Sequence, residues 1–256
     1  MKRFLFLSLF ILFTINLTAQ ETVTFSGRVT DFEGNPVDSS IVKIVYPDFS
    51  NAYETYSDKN GYYKLENIKK GKYVAMFVMR PEEYPRANAV PEKDMRLEFW
   101  AWNVIADRDL TINPRYQKLE LYGTTVFEEL GGMPVLFVYF RPMSLTKLLK
   151  HSKEVYLDKK KSEEVADLSI SPENLEVKIF ADDEQLKIIA VTPVEDGLSK
   201  SSKHLSYLVQ VERPKTRPDK PYVIFRVEAV NKEFDEKGEN LYFYELSDFK
   251  KNPVKK

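Results

Sequence analysis

The side chains of this chain that are best suited to contact a ligand are concentrated between positions 96 and 109. The segment RLEFWAWNV contains both tryptophans of the chain, Trp100 and Trp102. In a strand these two and Val104 share one face, while Phe99 lies on the other. An indole ring presents a flat apolar surface and one N–H donor. The pair therefore predicts either a packed face of a central strand or a platform on which a sugar ring stacks.

Three charged residues, Asp107, Arg108 and Asp109, follow at the predicted end of the same strand. Two carboxylates beside a guanidinium are typical of a turn whose charges neutralise one another, and also suit a metal or acid/base pair. Calcium requires several oxygen ligands on one loop, and no repeated Asp/Asn/Gly pattern supplies them. We therefore count these three residues with the tryptophans as candidate ligand-binding residues, and predict no metal and no cofactor.

Recognisable catalytic motifs are missing from the sequence. The chain has only two histidines, His151 and His204, and it contains neither a His-Glu-x-x-His nor a Gly-x-Ser-x-Gly motif. Ser144 and Lys147 match the Ser-x-x-Lys spacing of penicillin-recognising enzymes, but the companion motifs are absent. Ser144 is better explained as the N-cap of a short helix. We predict that the protein is not an enzyme.

Composition and the first residues indicate export. Residues 1–20 combine Lys2 and Arg3 with an apolar stretch over 4–17, which predicts a signal peptide. No later segment is long and apolar enough to cross a membrane, so the mature form is predicted not to span one. With 38 basic and 39 acidic residues the chain has no one-sided charge that would attract nucleic acid. The predicted location is periplasmic, cell-surface or secreted.

Short strands separated by turn residues are predicted over 21–84. The turns and flanking strands carry four motifs in order: Gly27-x-Val29-Thr30-Asp31, Gly34-Asn35-Pro36-Val37, Ser57-Asp58-x-x-Gly61-x-Tyr63-x-Leu65 and Lys70-Gly71-x-Tyr73. Asn60-Gly61 is a strong hairpin signal. These motifs resemble the carboxypeptidase regulatory-like (prealbumin-like) domain family, over about a quarter of the chain. Ser39-Ser40 departs from the Gly-Ala that is usual in that family.

This resemblance implies a fold and not a reaction. It implies a prealbumin-like Greek-key sandwich whose motif glycines and tyrosines are structural. Such modules accompany zinc carboxypeptidase domains, outer-membrane transporter barrels and many exported bacterial proteins.

Strand-like runs at regular spacing continue over 85–249 and predict a second, immunoglobulin-like β-sandwich. The Lys- and Glu-rich stretch at about 145–172 is predicted to be a charged insertion, helical or loop. Residues 250–256 are predicted to be a polar tail. The fold class is therefore all-β.

The predicted function is an exported, non-catalytic binding or scaffold protein of a bacterial envelope, with an envelope protein or a glycan as its partner. Glycan binding at Trp100 and Trp102 is the most concrete form of this hypothesis. One alternative is a glycoside or other hydrolase that uses a carboxylate pair in the second sandwich, because such enzymes need only two carboxylates. Another is a periplasmic accessory of an outer-membrane transporter.

Overall fold

A computed structural model describes residues 21–129, 132–196, 204–216 and 218–246. The predicted signal peptide (1–20) and the predicted tail (250–256) lie outside these ranges. Within the described ranges, no helix is long and apolar enough to cross a membrane.

The protein is all-β, as its sequence predicts, and its sheets form sandwiches. The described strands are β1 (Thr22–Arg28), β2 (Ile41–Val45), β3 (Asn51–Tyr56), β4 (Tyr62–Lys69), β5 (Gly71–Met79), β6 (Phe99–Ala106), β7 (Leu110–Thr111), β8 (Leu119–Phe127), β9 (Val135–Ser144), β10 (Leu175–Ala181), β11 (Glu184–Gln185), β12 (Ile188–Asp196), β13 (His204–Glu212), β14 (Tyr222–Asn231) and β15 (Glu236–Glu245).

Helical structure is confined to short pieces. The predicted insertion is helical, with α1 (Leu145–Leu149), α2 (Lys153–Tyr156) and α3 (Lys159–Val165). Single 3₁₀ turns lie at Pro81–Glu83, Pro85–Ala87, Glu92–Asp94 and Pro172–Asn174.

The strands form three sheets, and the longest joins both halves of the chain. One sheet has the order β4-β1-β7, another β12-β13-β9-β8, and the third β11-β10-β14-β15-β6-β5-β2-β3. In this long sheet β6 pairs antiparallel with β5 and parallel with β15. The division between 21–84 and 85–249 stays a prediction, and the hydrogen bonds of the long sheet run across that point.

The buried apolar residues form two large clusters and one small one. The first cluster lies around Phe25, Met76 and Phe99, and receives Tyr222 and Phe243 from the C-terminal strands. The second lies around Phe140, Tyr207 and Phe225. The small cluster packs α1 and α2 against the loop before β6. The first core therefore needs strands from the end of the chain to be complete.

Gly27 lets two strands approach closely. A Cβ atom at this position would overlap the backbone carbonyl oxygen of Ile112. This contact allows β7 to add to β1 as a parallel neighbour, with Phe25 opposite Leu110. Only a residue without a side chain fits there.

Strand β6 does not alternate as its sequence predicts. Asn103 has a φ of +53°, in the left-handed region. Its side-chain Nδ2 donates to the carbonyl oxygen of Phe243 at 2.7 Å, which compensates for the unusual backbone. Beyond this point Val104 is fully buried in the first core with Phe99. Val104 is thus buried, whereas the two tryptophans are half-buried.

Candidate ligand-binding site beside β6

Five aromatic side chains meet where β6 approaches β8, and we call this group the aromatic corner. It consists of Phe49, Phe77, Trp100, Trp102 and Tyr122. Phe77 lies directly opposite Trp100 in the β5–β6 ladder. Since side chains paired across two antiparallel strands share a face, these two rings lie on the same side of the sheet. Phe49 comes from the β2–β3 turn and has a φ of +62°. The corner thus draws on four separate parts of the chain.

The rings form a continuous row. Trp100 and Trp102 are stacked, with ring centroids 4.8 Å apart and an interplanar angle of 11°. Phe77 lies 4.7 Å from Trp100, and Phe49 lies 6.4 Å from Trp102 at 76°. Phe49 is 53% exposed, and the other three rings are half-buried. The row is therefore neither a closed core nor a fully exposed patch.

Tyr122 on β8 closes one side of the corner. Its ring stands perpendicular to both indoles, 6.1 Å from Trp100 and 5.5 Å from Trp102. The guanidinium of Arg141, the residue opposite Tyr122 on β9, lies 5.2 Å from the centre of the tyrosine ring. A cation near a half-buried ring provides charge and hydrogen-bond donors at the edge of an apolar surface.

Two carboxyl groups, Glu98 and Glu120, lie against the same rings. The indole Nε1 of Trp100 donates to Glu98 Oε1 at 3.0 Å. Glu120 is 4% exposed, and its Oε1 receives no hydrogen bond from any N–H or O–H donor of the described residues. The carboxyl groups of Glu98 and Glu120 are in hydrogen-bonding contact. Such a contact requires a proton on one of them, because two ionised carboxylates have no donor.

The pKa values of both carboxyl groups are raised. Burial is the main cause for Glu98, and the Trp100 indole, Glu120 and the charge of Arg86 oppose it. The pKa of Glu120 is raised well above its usual range, first by burial and then by the neighbouring Glu98. Arg141 and Trp100 lower the pKa of Glu120, but the net shift is still upward. Both shifts favour the protonated forms of these two carboxyl groups.

One donor of the corner has no partner. The indole Nε1 of Trp102 is buried and makes no hydrogen bond to the residues that the structure describes. Unpaired buried polar atoms are uncommon in native proteins and are frequently satisfied by water or a ligand.

The three charged residues at the end of β6 make internal contacts. Asp107 accepts from the hydroxyl of Tyr222 at 2.9 Å and pairs with Arg108 at 3.2 Å. Asp109 Oδ1 accepts from the backbone N–H of Thr24 at 2.8 Å. The structure does not bring these side chains into the aromatic corner, and their role as ligand-binding residues stays a prediction. Within the described ranges, no three His, Cys, Asp or Glu side chains are grouped as metal ligands.

Ser144 is the N-cap of α1, as predicted. Its hydroxyl accepts from the backbone N–H of Lys147 at 3.1 Å. The ammonium of Lys147 donates instead to the carbonyl oxygen of Ser169 at 2.5 Å. The Ser-x-x-Lys spacing thus has a structural explanation.

A separate cleft of about 930 Å³ lies between β1, β7 and the C-terminal strands. Arg28, Tyr62, Arg115, Arg226 and Glu239 are among its lining residues. Arg115 forms ion pairs with Glu239 and, at 2.6 Å, with Glu228. Arg226 also pairs with Glu228 and lies 4.0 Å from Glu239, so both carboxylates have partners within the protein.

The tryptophans of the corner were predicted from the sequence as candidates, whereas Glu98 and Glu120 were not. Glu98 lies directly before β6 and Glu120 lies on β8, and these two strands belong to different sheets. The only available signal was a glutamate within each of two otherwise apolar runs, LEFW and LELY.

Comparisons with known proteins give a weak likeness only. No family model and no curated protein matches the chain. Among solved structures, the major pilin subunit BcpA of Bacillus cereus is 10% identical, with a TM-score of 0.27, over 88% of this chain and 69% of the pilin. A candidate carbohydrate-binding protein from Bacteroides uniformis is 10% identical, with a TM-score of 0.28, over 88% of this chain and 99% of that protein. A candidate adhesin from Bacteroides ovatus is 9% identical, with a TM-score of 0.24, over 87% and 83% of the two chains. Likeness at this level gives no information about what this chain binds.

Proposed function

We propose that the protein is an exported, non-catalytic binding protein of a bacterial envelope, and that it binds a glycan at the aromatic corner. The observation that supports this most directly is the row formed by Phe77, Trp100, Trp102 and Phe49, in which Phe49 is exposed, the other three rings are half-buried, and polar groups lie alongside. Export rests on the signal-peptide pattern of residues 1–20.

The chemistry of the corner suits a sugar better than an apolar ligand. A sugar ring has C–H groups that pack on aromatic surfaces and hydroxyl groups that both donate and accept hydrogen bonds. Phe49 and the half-buried indoles offer the apolar surface. The guanidinium of Arg141 and the carboxyl of Glu98 place polar groups beside it. Ligand sites commonly combine aromatic walls with a few such polar groups.

We propose further that residues 21–84, with strands β1–β5, form a module of the carboxypeptidase regulatory-like family, and that β6 and β7 extend its two sheets. Support comes from seven strands in two facing sheet segments, β4-β1-β7 and β6-β5-β2-β3. Gly34 and Gly61 have φ values of +85° and +82°, as expected of turn glycines. Tyr63 and Tyr73 are buried, as the resemblance implies. The module supplies the sheet on which the tryptophans are displayed.

The hydrolase alternative receives less support from the geometry. Glycosidases hold their two carboxyl groups about 5 to 10 Å apart, so that a substrate and water fit between them. Glu98 and Glu120 are instead within hydrogen-bonding reach of each other, and Glu228 and Glu239 are ion-paired with arginines. The hydrolase and the transporter accessory remain predictions.

The test is a titration of intrinsic tryptophan fluorescence with a panel of soluble polysaccharides, using the mature chain. Both indoles lie in the corner, so binding there is expected to shift the emission with a saturable curve. The variant Phe49→Ala should weaken binding, whereas Phe127→Ala should not, because Phe127 packs on Phe137 outside the corner. The glycan hypothesis is wrong if no member of the panel changes the emission or competes for the site.

A further inference from the structure

The Glu98–Glu120 pair has a consequence for the aromatic corner that extends the proposed function. We propose that these two residues share one proton, and that losing this proton disrupts the Trp100–Trp102 stack and weakens ligand binding at the corner. The inference about binding rests on the proposed function, whereas the inference about the proton does not.

The burial of Glu120 favours the proton as well. Glu120 is almost fully buried, and its Oε1 has no hydrogen-bond partner among the described residues. An ionised carboxylate left without a donor in the interior is costly. A proton shared between Glu120 and Glu98 gives the pair a hydrogen bond and leaves it with a single negative charge. Pairs of carboxyl groups in contact behave in this way because both cannot ionise together.

The surrounding charges do not replace that proton. Arg141 acts on Glu120 and Arg86 acts on Glu98, and both favour the ionised forms. Tyr84 and Tyr122 face the pair as well, and the pKa of each hydroxyl is raised by burial. These tyrosines therefore stay neutral over the range in which the pair titrates. No histidine is among the groups that act on the pair.

The link to the rings is the hydrogen bond from Trp100 Nε1 to Glu98. When the second carboxyl ionises, two like charges in contact repel each other. Glu98 is the less buried partner, so it is the side chain that moves toward solvent. This movement breaks or weakens the hydrogen bond from Trp100 Nε1 to Glu98. It also changes the packing of the Trp100 ring on the Trp102 ring, whose centroid is 4.8 Å away.

The first experiment follows tryptophan emission against pH from 5 to 9 in the absence of any ligand. Because the chain contains only these two tryptophans, the signal reports on the corner alone. We expect a transition with a midpoint above the ordinary glutamate value of about 4.3. Glu120→Gln should abolish it, since the amide donates permanently to Glu98. Glu98→Gln should move the transition to lower pH, because Glu120 then has no charged neighbour.

The control is Glu154→Gln, which changes an exposed glutamate on α2 and should leave the transition unchanged. Far-UV circular dichroism at each pH confirms that the sheets remain folded. A flat wild-type emission between pH 5 and 9 overturns the shared proton. So does a transition that survives unchanged in both Glu120→Gln and Glu98→Gln.

The second experiment measures affinity for a polysaccharide of the panel at pH 5.5 and pH 8.5. We expect at least a fivefold weaker affinity at the higher pH in the wild type, and no difference in Glu120→Gln. Equal wild-type affinity at both values overturns the coupling. If the emission transition occurs and no polysaccharide binds at either pH, the proposed function fails while the shared proton stands.

Discussion

The indole rings of Trp100 and Trp102 stack on each other with their planes 11° from parallel. Because they are two positions apart on β6, they share a face of the sheet and act as one aromatic surface. Stacked aromatic pairs contribute about 0.5 to 1.5 kcal/mol beyond the burial of their area. A substitution of one ring therefore also changes the position of the other.

Replacement of Trp102 by alanine should lower the affinity for the glycan at least tenfold, about 1.4 kcal/mol. The reason is the loss of the half-buried Trp102 ring and of its stacking on Trp100, which orients the Trp100 ring. Affinity is measured by isothermal titration calorimetry at pH 5.5. Ile189→Ala is the matched control, because Ile189 is an exposed apolar residue of the distant edge strand β12. A Trp102→Ala protein that is folded and binds as tightly as the wild type would exclude the corner as the site.

The variant Glu120→Gln should stabilise the protein at pH 8 and have a smaller effect near pH 4.5. The pKa of Glu120 is raised in the folded state. Such a carboxyl reduces stability as the pH rises from the unfolded-state pKa of about 4.3 through the folded-state pKa. The glutamine of the variant does not ionise, so the variant does not lose this stability as the pH rises. Urea denaturation at both pH values gives the free energies of unfolding, and a destabilisation that is larger at pH 8 than at pH 4.5 would contradict the prediction.

Replacement of Arg115 by leucine should destabilise the protein by about 3 kcal/mol at pH 8, because the buried Glu239 then loses its closest partner and keeps only Arg226, 4.0 Å away. Glu239 is 4% exposed, and burial already raises its pKa although Arg115 opposes this. At pH 5 the destabilisation should be smaller, since Glu239 can then be protonated in the folded state. The exposed pair Lys64–Glu66 supplies the control, and Lys64→Ala should change stability by less than about 1 kcal/mol. If Arg115→Leu loses the same stability at pH 5 and at pH 8, ionisation of Glu239 is not the cause of the destabilisation.

The variant Gly27→Ala should cost about 2 kcal/mol, because its methyl group overlaps the Ile112 carbonyl and pushes β7 away from β1. Gly71→Ala is the matched control, since no atom lies within 4 Å of the Cβ position at Gly71. Thermal denaturation of the two variants compares them directly. If Gly27→Ala is as stable as Gly71→Ala, moving β7 away from β1 has no cost in stability and the prediction is wrong.

Much of the local structure was predictable from the sequence. Alternating runs and turn residues predicted strands that agree closely with β2, β10 and β13, and Asn60-Gly61 predicted the hairpin that leads into β4. These signals are local, because they depend on the period of a strand and on the conformations that glycine and asparagine allow. Ser144 was correctly predicted as a helix cap for the same reason.

The remaining features depend on contacts between distant segments. No local pattern places β15 beside β6, and that pairing extends one sheet through both halves of the chain. Asn103 adopts a left-handed backbone conformation within β6, and its side chain donates to the backbone of Phe243, a partner 140 positions away. The contact between Glu98 and Glu120 likewise arises only when β8 packs against the face of β6. The tryptophans were predicted as candidates, while the acid pair beside them was not.

A glycan array probed at pH 5.5 with labelled wild-type protein and with Trp102→Ala compares many ligands in one matched pair of proteins, and so decides whether the aromatic corner is a glycan site. We expect the wild type to bind a defined set of glycans and Trp102→Ala to lose that set. Retention of the same set by Trp102→Ala, or a wild type that binds no glycan on the array, would contradict it.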